Sequence, residues 1–398
     1  MEKQFEYSAS RINSVDLSYK RYLWNRINWD NRLIAIIGAR GVGKTTFLLQ
    51  YIRENLNTKP DEVIYVNMDD LYFSKTALVD FADNFVKRGG KYLFLDEVHK
   101  YKNWSQEIKN SYDYFPDLKL VVTGSSALDI YRGKFDLSRR AILYRMSGLS
   151  FREFIGIKYN IHFPVLELDD LLNHASEKIL PVLEKIKPLK LFEEYLINGY
   201  YPFFLEGESD FQTRLKQTIN QVLDSDLPSI ENIDFGAVHS LRKLISILAE
   251  IVPYKPNIVK LSQQVGVSRE TLLRYLHLLE KAELLILMQS GTKGMSKMNK
   301  PDKIFLNNPN LVSTLADGNS NHGTLRETYF INQLQVGHSI TGSDQGDFLV
   351  DHKYTFEIGG KNKTRKQISG IKDAWIAADN VEYARQDKIP LWLFGFLY

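Results

Sequence analysis

The chain contains no cysteine among its 398 residues. Disulfides, thiolate zinc sites and cysteine nucleophiles are therefore excluded, and the lack of thiols fits a reducing compartment. No apolar run approaches the roughly 18–20 residues of a membrane span. The greasiest stretch, Ile389-Pro390-Leu391-Trp392-Leu393-Phe394-Gly395-Phe396-Leu397-Tyr398, is too short to cross a bilayer. It reads as a buried final strand. The first residues, Met1-Glu2-Lys3-Gln4-Phe5-Glu6, lack the basic and apolar regions of a signal peptide. A cytoplasmic location is the expectation.

What the chain does have is an ordinary globular balance, 44% hydrophobic and 25% charged, and a length that predicts about two or three domains. Its net charge of +3 is unevenly placed. Residues 236–300 hold ten Lys and Arg against four Asp and Glu, a local +6, so the rest of the chain sums to −3. Basic character confined to one region bears on partners.

Gly38-Ala39-Arg40-Gly41-Val42-Gly43-Lys44-Thr45 matches the phosphate-binding pattern G-x-x-x-x-G-K-[ST]. Arg32-Leu33-Ile34-Ala35-Ile36-Ile37 before it reads as a buried strand, and the residues from Thr46 to Ile52 carry helical apolar spacing. Strand, glycine loop and helix are the context the motif needs. The glycines let backbone N–H groups close around phosphate oxygens, and the helix N-terminus adds partial positive charge. The expected ligand is ATP, cradled by residues 38–46 through Thr46. Lys44 is expected to reach the β- and γ-phosphates, with the Thr45 hydroxyl on Mg²⁺.

Four more strand-like runs follow, at 62–66, 92–95, 118–122 and 141–145, with helical stretches such as 76–87 and 103–112 between them. Alternation of this kind predicts a parallel sheet covered by helices on both faces. Tyr92-Leu93-Phe94-Leu95-Asp96-Glu97 is an apolar strand ending in two acids. It would deliver Asp96 to the Mg²⁺ side of the nucleotide and Glu97 to the attacking water. The run 118–122, continued by Thr123-Gly124-Ser125-Ser126, should lie between the other two motif strands. Ser125 is the first candidate there to sense the γ-phosphate and Thr123 the second; a helix N-cap is the alternative. Arg139 and Arg140, just before the last strand, are either a surface pair or a source of charge for a neighbouring subunit's nucleotide, which would make the protein a homo-oligomer.

These motifs, together with Leu95-Asp96-Glu97-Val98-His99, Val122-Thr123-Gly124-Ser125-Ser126 and Gly148-Leu149-Ser150-Phe151-Arg152-Glu153-Phe154, resemble a prokaryotic AAA-type ATPase family. The resemblance implies a winged-helix segment and a C-terminal domain of uncharacterised function that resembles the PD-(D/E)XK nuclease fold. In that family the paired arginine position is usually Gly-Arg, so Arg140 is the residue carried over and Arg139 departs from the pattern.

Residues 165–230 show helical patterns at 168–185, 189–197 and 211–224, which read as a connector or lid. Ile258 to Val265, the turn Gly266-Val267-Ser268 and Arg269 to Lys281 form a helix-turn-helix pattern. The runs 283–288 and 303–306 would then form a wing, with Lys293, Lys297 and Lys300 near its tip. Arg269, Arg274 and His277 would face duplex DNA, with the wing lysines on phosphates. A protein-interaction module is the alternative, and Glu270 would repel phosphate.

Further on, Glu327 lies in the middle of a helical stretch, and Asp347 and Glu357 fall on two strand-like runs. Together they would form an oxygen-rich Mg²⁺ site. The nuclease motif places lysine two residues after the second acid, where this chain has Gly359; Lys361 is the nearest substitute. Binding rather than cutting is the default reading of this domain.

The expected organisation is thus α/β: a parallel-sheet ATPase core over residues 1–155, a helical connector over 156–235, a winged helix over 236–306 and an α/β nuclease-like domain over 307–398. The expected activity is hydrolysis of ATP. A nucleotide-dependent scaffold and an ATP-gated nuclease are the alternatives.

Overall fold

The computed structural model describes residues 1–56, 60–125, 137, 139–230, 233–289, 300–316, 321–385 and 387–398. The chain packs as two compact units. The first comprises Met1–Ser147 and a return segment, Asp224–Ile233; the second comprises Gly148–Leu223 and Asp234–Tyr398.

In the first unit, α1 (Glu2–Ser14) precedes β1 (Leu33–Gly38), α2 (Lys44–Asn55), β2 (Val63–Asn67), α3 (Leu78–Lys87), β3 (Tyr92–Asp96), α4 (Trp104–Tyr114), β4 (Lys119–Ser125) and β5 (Ile142–Arg145). The five strands run parallel in the order β2-β3-β4-β1-β5. β1 is buried along its whole length, as its unbroken apolar run requires. Leu33, Ala35 and Ile37 join Ile64, Val66, Leu93, Leu95, Leu120 and Val122 in one core with Leu78, Phe81 and Phe85 of α3. β4 lies between the strands bearing the glycine loop and the acid pair, the order expected. α1 lies against the edge strand β2, where the Ser8 hydroxyl accepts the Tyr65 backbone N–H at 3.0 Å. A sheet edge is thereby partly capped.

The second unit opens with α5 (Phe151–Tyr159), started by a capping box between Ser150 and Glu153. The helices α6 (Leu168–Asn173), α7 (Ala175–Leu183), α8 (Pro188–Asn198) and α9 (Phe211–Gln221) follow. The chain then re-enters the first unit as the single turn α10 (Leu227–Ile230), before α11 (Phe235–Ile251). Next come α12 (Ile258–Val265), α13 (Arg269–Lys281) and the antiparallel pair β6 (Leu285–Met288) and β7 (Lys303–Leu306). Gly266 closes α12 at φ 87°, a left-handed cap, and the Ser268 side chain caps α13. The unit ends with α14 (Pro309–Leu315), α15 (His322–Leu334) and the strands β8 (Ile340–Gly342), β9 (Phe348–Val350), β10 (Tyr354–Gly359), β11 (Ala374–Ala378) and β12 (Lys388–Pro390). These form a mixed five-stranded sheet in the order β12-β11-β10-β9-β8.

Three sequence expectations change. The first unit ends at Ser147 rather than 155, because Phe151 packs edge-on against Phe192, Tyr195 and Phe396 of the second. Residues 156–235 are not a free-standing connector: most of them join the second unit, while 224–233 return to the first. The apolar C-terminus is only briefly a strand. After Pro390 it continues as the 3₁₀ turns Leu391–Phe396, with every residue from 391 to 398 buried. A strand alternates its faces, whereas this run is covered on all sides. A Cβ at Gly395 would come within 2.3 Å of the Tyr329 hydroxyl, so only glycine permits that approach. Among the described residues, no helix is long and apolar enough to cross a membrane.

Candidate functional site

The loop between β1 and α2 takes the shape its glycines allow. Gly41 and Gly43 sit at φ 86° and 96°, in the left-handed region that side chains disfavour. Gly38, at the end of β1, lies so close to the Met146 carbonyl oxygen that a Cβ would meet it at 2.2 Å. Lys44 is buried, and its Nζ donates to the carbonyls of Gly38 and Ala39 at 2.9 and 3.0 Å. Those bonds bend the lysine back over its own loop. The buried guanidinium of Arg21 donates to the Val42 carbonyl at 2.6 Å and to the Ser147 carbonyl at 2.7 Å. It ties the loop to the chain beyond β5.

Asp96, at the end of β3, is buried and accepts three hydroxyls. Thr45 donates to Oδ2 at 2.6 Å, Tyr65 donates to Oδ2 at 2.8 Å, and Thr123 donates to Oδ1. Burial, followed by the negative charge of Asp96, pushes the Tyr65 phenol far above its ordinary value, so it remains a donor. Glu97 follows at φ 55°, a left-handed conformation that is costly for a non-glycine residue. Its backbone N–H is held by the Thr123 hydroxyl at 3.2 Å. Of the two sensor candidates, Thr123 thus touches both acids. Ser125 is buried, and its backbone N–H donates to His99 Nδ1 at 3.3 Å.

The return segment contributes Asp226, which is 1% exposed. Arg40 of the glycine loop donates to both its oxygens at 3.1 Å, and Lys100 donates to Oδ1 at 2.7 Å. Burial alone would raise the Asp226 pKa. The His99 ring 3.6 Å away, the hydrogen bond from Lys100 and the charge of Arg40 hold it well below the usual carboxylate range instead. Arg140 makes a two-pronged pair with Asp113 of its own chain, at 2.9 and 3.0 Å. Arg21, Tyr65 and Asp226 were invisible in the sequence: each acts through a partner far away along the chain, and none lies in a motif.

Residues 30–155 match an AAA domain. The AAA match spans the glycine loop, Asp96, Glu97, Thr123, Ser125 and Arg140, and it implies nucleotide binding. Residues 189–322 match a domain of unknown function, DUF8612. The chain is 28% identical over 315 residues to the uncharacterized protein MJ1637 of Methanocaldococcus jannaschii, a match covering 76% of this chain and 64% of that protein. Among solved structures, AMPPCP-bound DnaA from Aquifex aeolicus shows 13% identity and a TM-score of 0.25 over 70% of this chain and 86% of DnaA. PCH-2 of C. elegans shows 14% identity and a TM-score of 0.25 over 69% of this chain and 67% of PCH-2.

In the second unit, Arg269 and Arg274 are exposed on α13, while His277 is half-buried with Nδ1 3.3 Å from Glu280. Glu270 and Lys300 are exposed; Lys293 and Lys297 lie outside the described residues. Glu327 on α15, Asp347 beside β9 and Glu357 on β10 are close enough to disturb one another. Burial first, and the neighbouring carboxylates after it, raise the pKa values of Glu327 and Glu357, against the opposing pull of lysines. Lys303 pairs with Glu327 and Lys363 with Glu357. Asp347 Oδ2 accepts the Ile358 backbone N–H at 2.7 Å. Among the described residues, no group of three His, Cys, Asp or Glu is placed to hold one metal ion. Two carboxylates of the expected Mg²⁺ site, Glu327 and Glu357, are thus each compensated by a lysine. Lys361 is exposed and is not the lysine that reaches the acids. The stem of Lys363 crosses the space where a Gly359 Cβ would sit, at 2.6 Å. The missing side chain at 359 is what admits it.

Proposed function

We propose that the chain is a cytoplasmic, Mg²⁺-dependent ATPase that drives water onto the γ-phosphate. The observation that carries this reading is the 2.6 Å bond from Thr45 Oγ1 to Asp96 Oδ2 beside Lys44, with Glu97 next in the chain. A hydroxyl and a carboxylate oxygen side by side are hard donors of the kind Mg²⁺ takes, with water and phosphate completing its shell. Thr45 and Asp96 are the residues that would hold it. When bound, the ion supplies neutralising charge at the β- and γ-oxygens. Lys44 exchanges its loop carbonyls for phosphate oxygens. The backbone N–H groups of Gly41 to Thr46 line the phosphates. Thr123 fixes Asp96 and the Glu97 backbone, and the Glu97 carboxylate orients and deprotonates water. Ser125 remains the first candidate to sense the γ-phosphate, with Thr123 the second, and Arg140 the candidate to act in trans, once released from Asp113. Steady-state phosphate release tests the reading. It should require Mg²⁺ and be lost with ATP binding in Lys44→Ala. An Mg²⁺-independent rate, or a K44A variant as active as the parent, would refute it.

Coupling to duplex DNA is favoured by the exposed Arg269 and Arg274 on α13, which with β6 and β7 fits a winged helix. Binding should weaken steeply as salt rises and be lost in Arg269→Glu/Arg274→Glu. Absence of binding at low salt would assign this region to a protein partner. The nuclease-like reading of the C-terminal sheet is a binding role, because Lys303 and Lys363 already neutralise Glu327 and Glu357. Robust Mg²⁺-dependent cleavage of plasmid, lost in Asp347→Ala, would overturn it.

A further inference from the structure

His99 is a buried side chain with no part in the nucleotide contacts described above. It lies in the short turn after Glu97 and is 4% exposed. Its Nδ1 faces the backbone N–H of Ser125 at 3.3 Å, a group that can only donate. Nδ1 is therefore the acceptor, and in the neutral ring the proton sits on Nε2. That nitrogen points at two carboxylates: Glu97 Oε2 at 3.4 Å and Asp226 Oδ1 at 3.6 Å. Neither distance is that of a closed hydrogen bond, and among the described residues Nε2 has no hydrogen-bond partner. One N–H thus stands between the acid assigned to water activation and an acid of the return segment. Asp226 is itself fixed by Arg40 and Lys100. The ring is thus held by the end of β4, with Nε2 facing Glu97 and the return segment.

We infer that His99 is a positioning residue for Glu97, holding one carboxylate oxygen through Nε2–H so that the other is presented to water. The inference rests on the reading of Glu97 as the group that activates water. Glu97 needs such a support. Its backbone is in a left-handed conformation, and its side chain is partly exposed. Unsupported, the carboxylate would sample several rotamers, few of them productive.

The test compares two amides at position 99, with Glu97→Gln alongside. Glutamine places its N–H near the position of Nε2. Asparagine is one methylene shorter, imitates the Nδ1 side and cannot reach Glu97. Asparagine keeps an acceptor for the Ser125 N–H and glutamine does not, so a fold defect would weigh more on His99→Gln, opposite to the order predicted for kcat. The readouts are kcat for phosphate release and affinity for a non-hydrolysable ATP analogue. His99→Asn should lower kcat by about tenfold or more, the scale on which supporting groups act on a site. His99→Gln should stay within about threefold of the parent. Analogue affinity should hardly change in either. Equal kcat in the two variants, or a loss of H99N that appears in affinity rather than kcat, would overturn the inference. An E97Q variant as active as the parent would instead remove Glu97 from the mechanism. An inactive E97Q beside a fully active H99N would refute only the role of His99.

Discussion

Removing the Tyr65 hydroxyl tests whether Asp96 is pre-arranged by the sheet rather than by the nucleotide. Tyr65 and Asp96 are each 1% exposed, and the phenol donates to Oδ2 at 2.8 Å. Tyr65→Phe deletes one oxygen and opens no cavity large enough for a side chain. What is lost is a buried hydrogen bond to a carboxylate, about 1.5–3 kcal/mol. Thr45 and Thr123 still donate to Asp96, so the lower half of that range is expected. The assay is hydrogen exchange of the nucleotide-free protein, read on peptides covering β1, β3 and β4. Their amides exchange mainly through opening of the whole unit. Protection in those strands should fall by about tenfold or more, since about 1.4 kcal/mol is a factor of ten. Protection within twofold of the parent would show that Asp96 does not depend on its hydroxyl donors. The view of a site assembled before nucleotide arrives would then fail.

Other consequences can be checked directly. Because the folded-state pKa of Asp226 is lowered, its contribution to stability is present above the usual value of 3.8 and is lost as pH falls through the folded value; the acid limb of the first unit's unfolding should be shallower in Asp226→Asn. Glu327 and Glu357 behave in the opposite sense: their folded pKa values are raised, so their contribution is present below 4.5 and lost as pH rises through the folded values. A Glu327→Gln/Glu357→Gln variant should flatten that decline in urea unfolding followed upward from pH 4.5. Gly38→Ala should disrupt the nucleotide loop, because its Cβ would meet the Met146 backbone oxygen at 2.2 Å. ATP affinity should drop by about tenfold or more, as expected where backbone rather than a flexible side chain must yield.

Much of the first unit could be read from the chain because its signals are local. Each parallel strand is an unbroken apolar run, and the glycine loop and acid pair sit at strand ends, where a strand-helix alternation must place them. The placement of β4 between β1 and β3 came from the type of ATPase sheet that the motif spacing suggests, since alternation alone leaves strand order open. The signals ran out where side chains meet across long sequence separations. Arg21 reaches the loop from 21 residues away and Asp226 reaches Arg40 across 186, and no periodicity encodes either approach. Lys361, the nearest substitute for the lysine that the motif would place at Gly359, is exposed because β10 ends at Gly359 and the chain turns beyond it. Pro390 and Gly395 similarly divert an apolar run that composition alone would make a strand. The helices α12 and α13 and the turn between them were legible because their signals, an apolar face, a left-handed glycine and a serine cap, are again local.

The central claim is that phosphate binding and water activation are carried by separate residues, and Glu97→Gln tests it most directly. ATP binding and steady-state phosphate release should be measured on the same preparation of the full chain. The account predicts ATP affinity close to that of the parent and a kcat reduced by about a hundredfold or more, the scale of a general base. An E97Q variant that binds ATP and releases phosphate at the parent rate would contradict it.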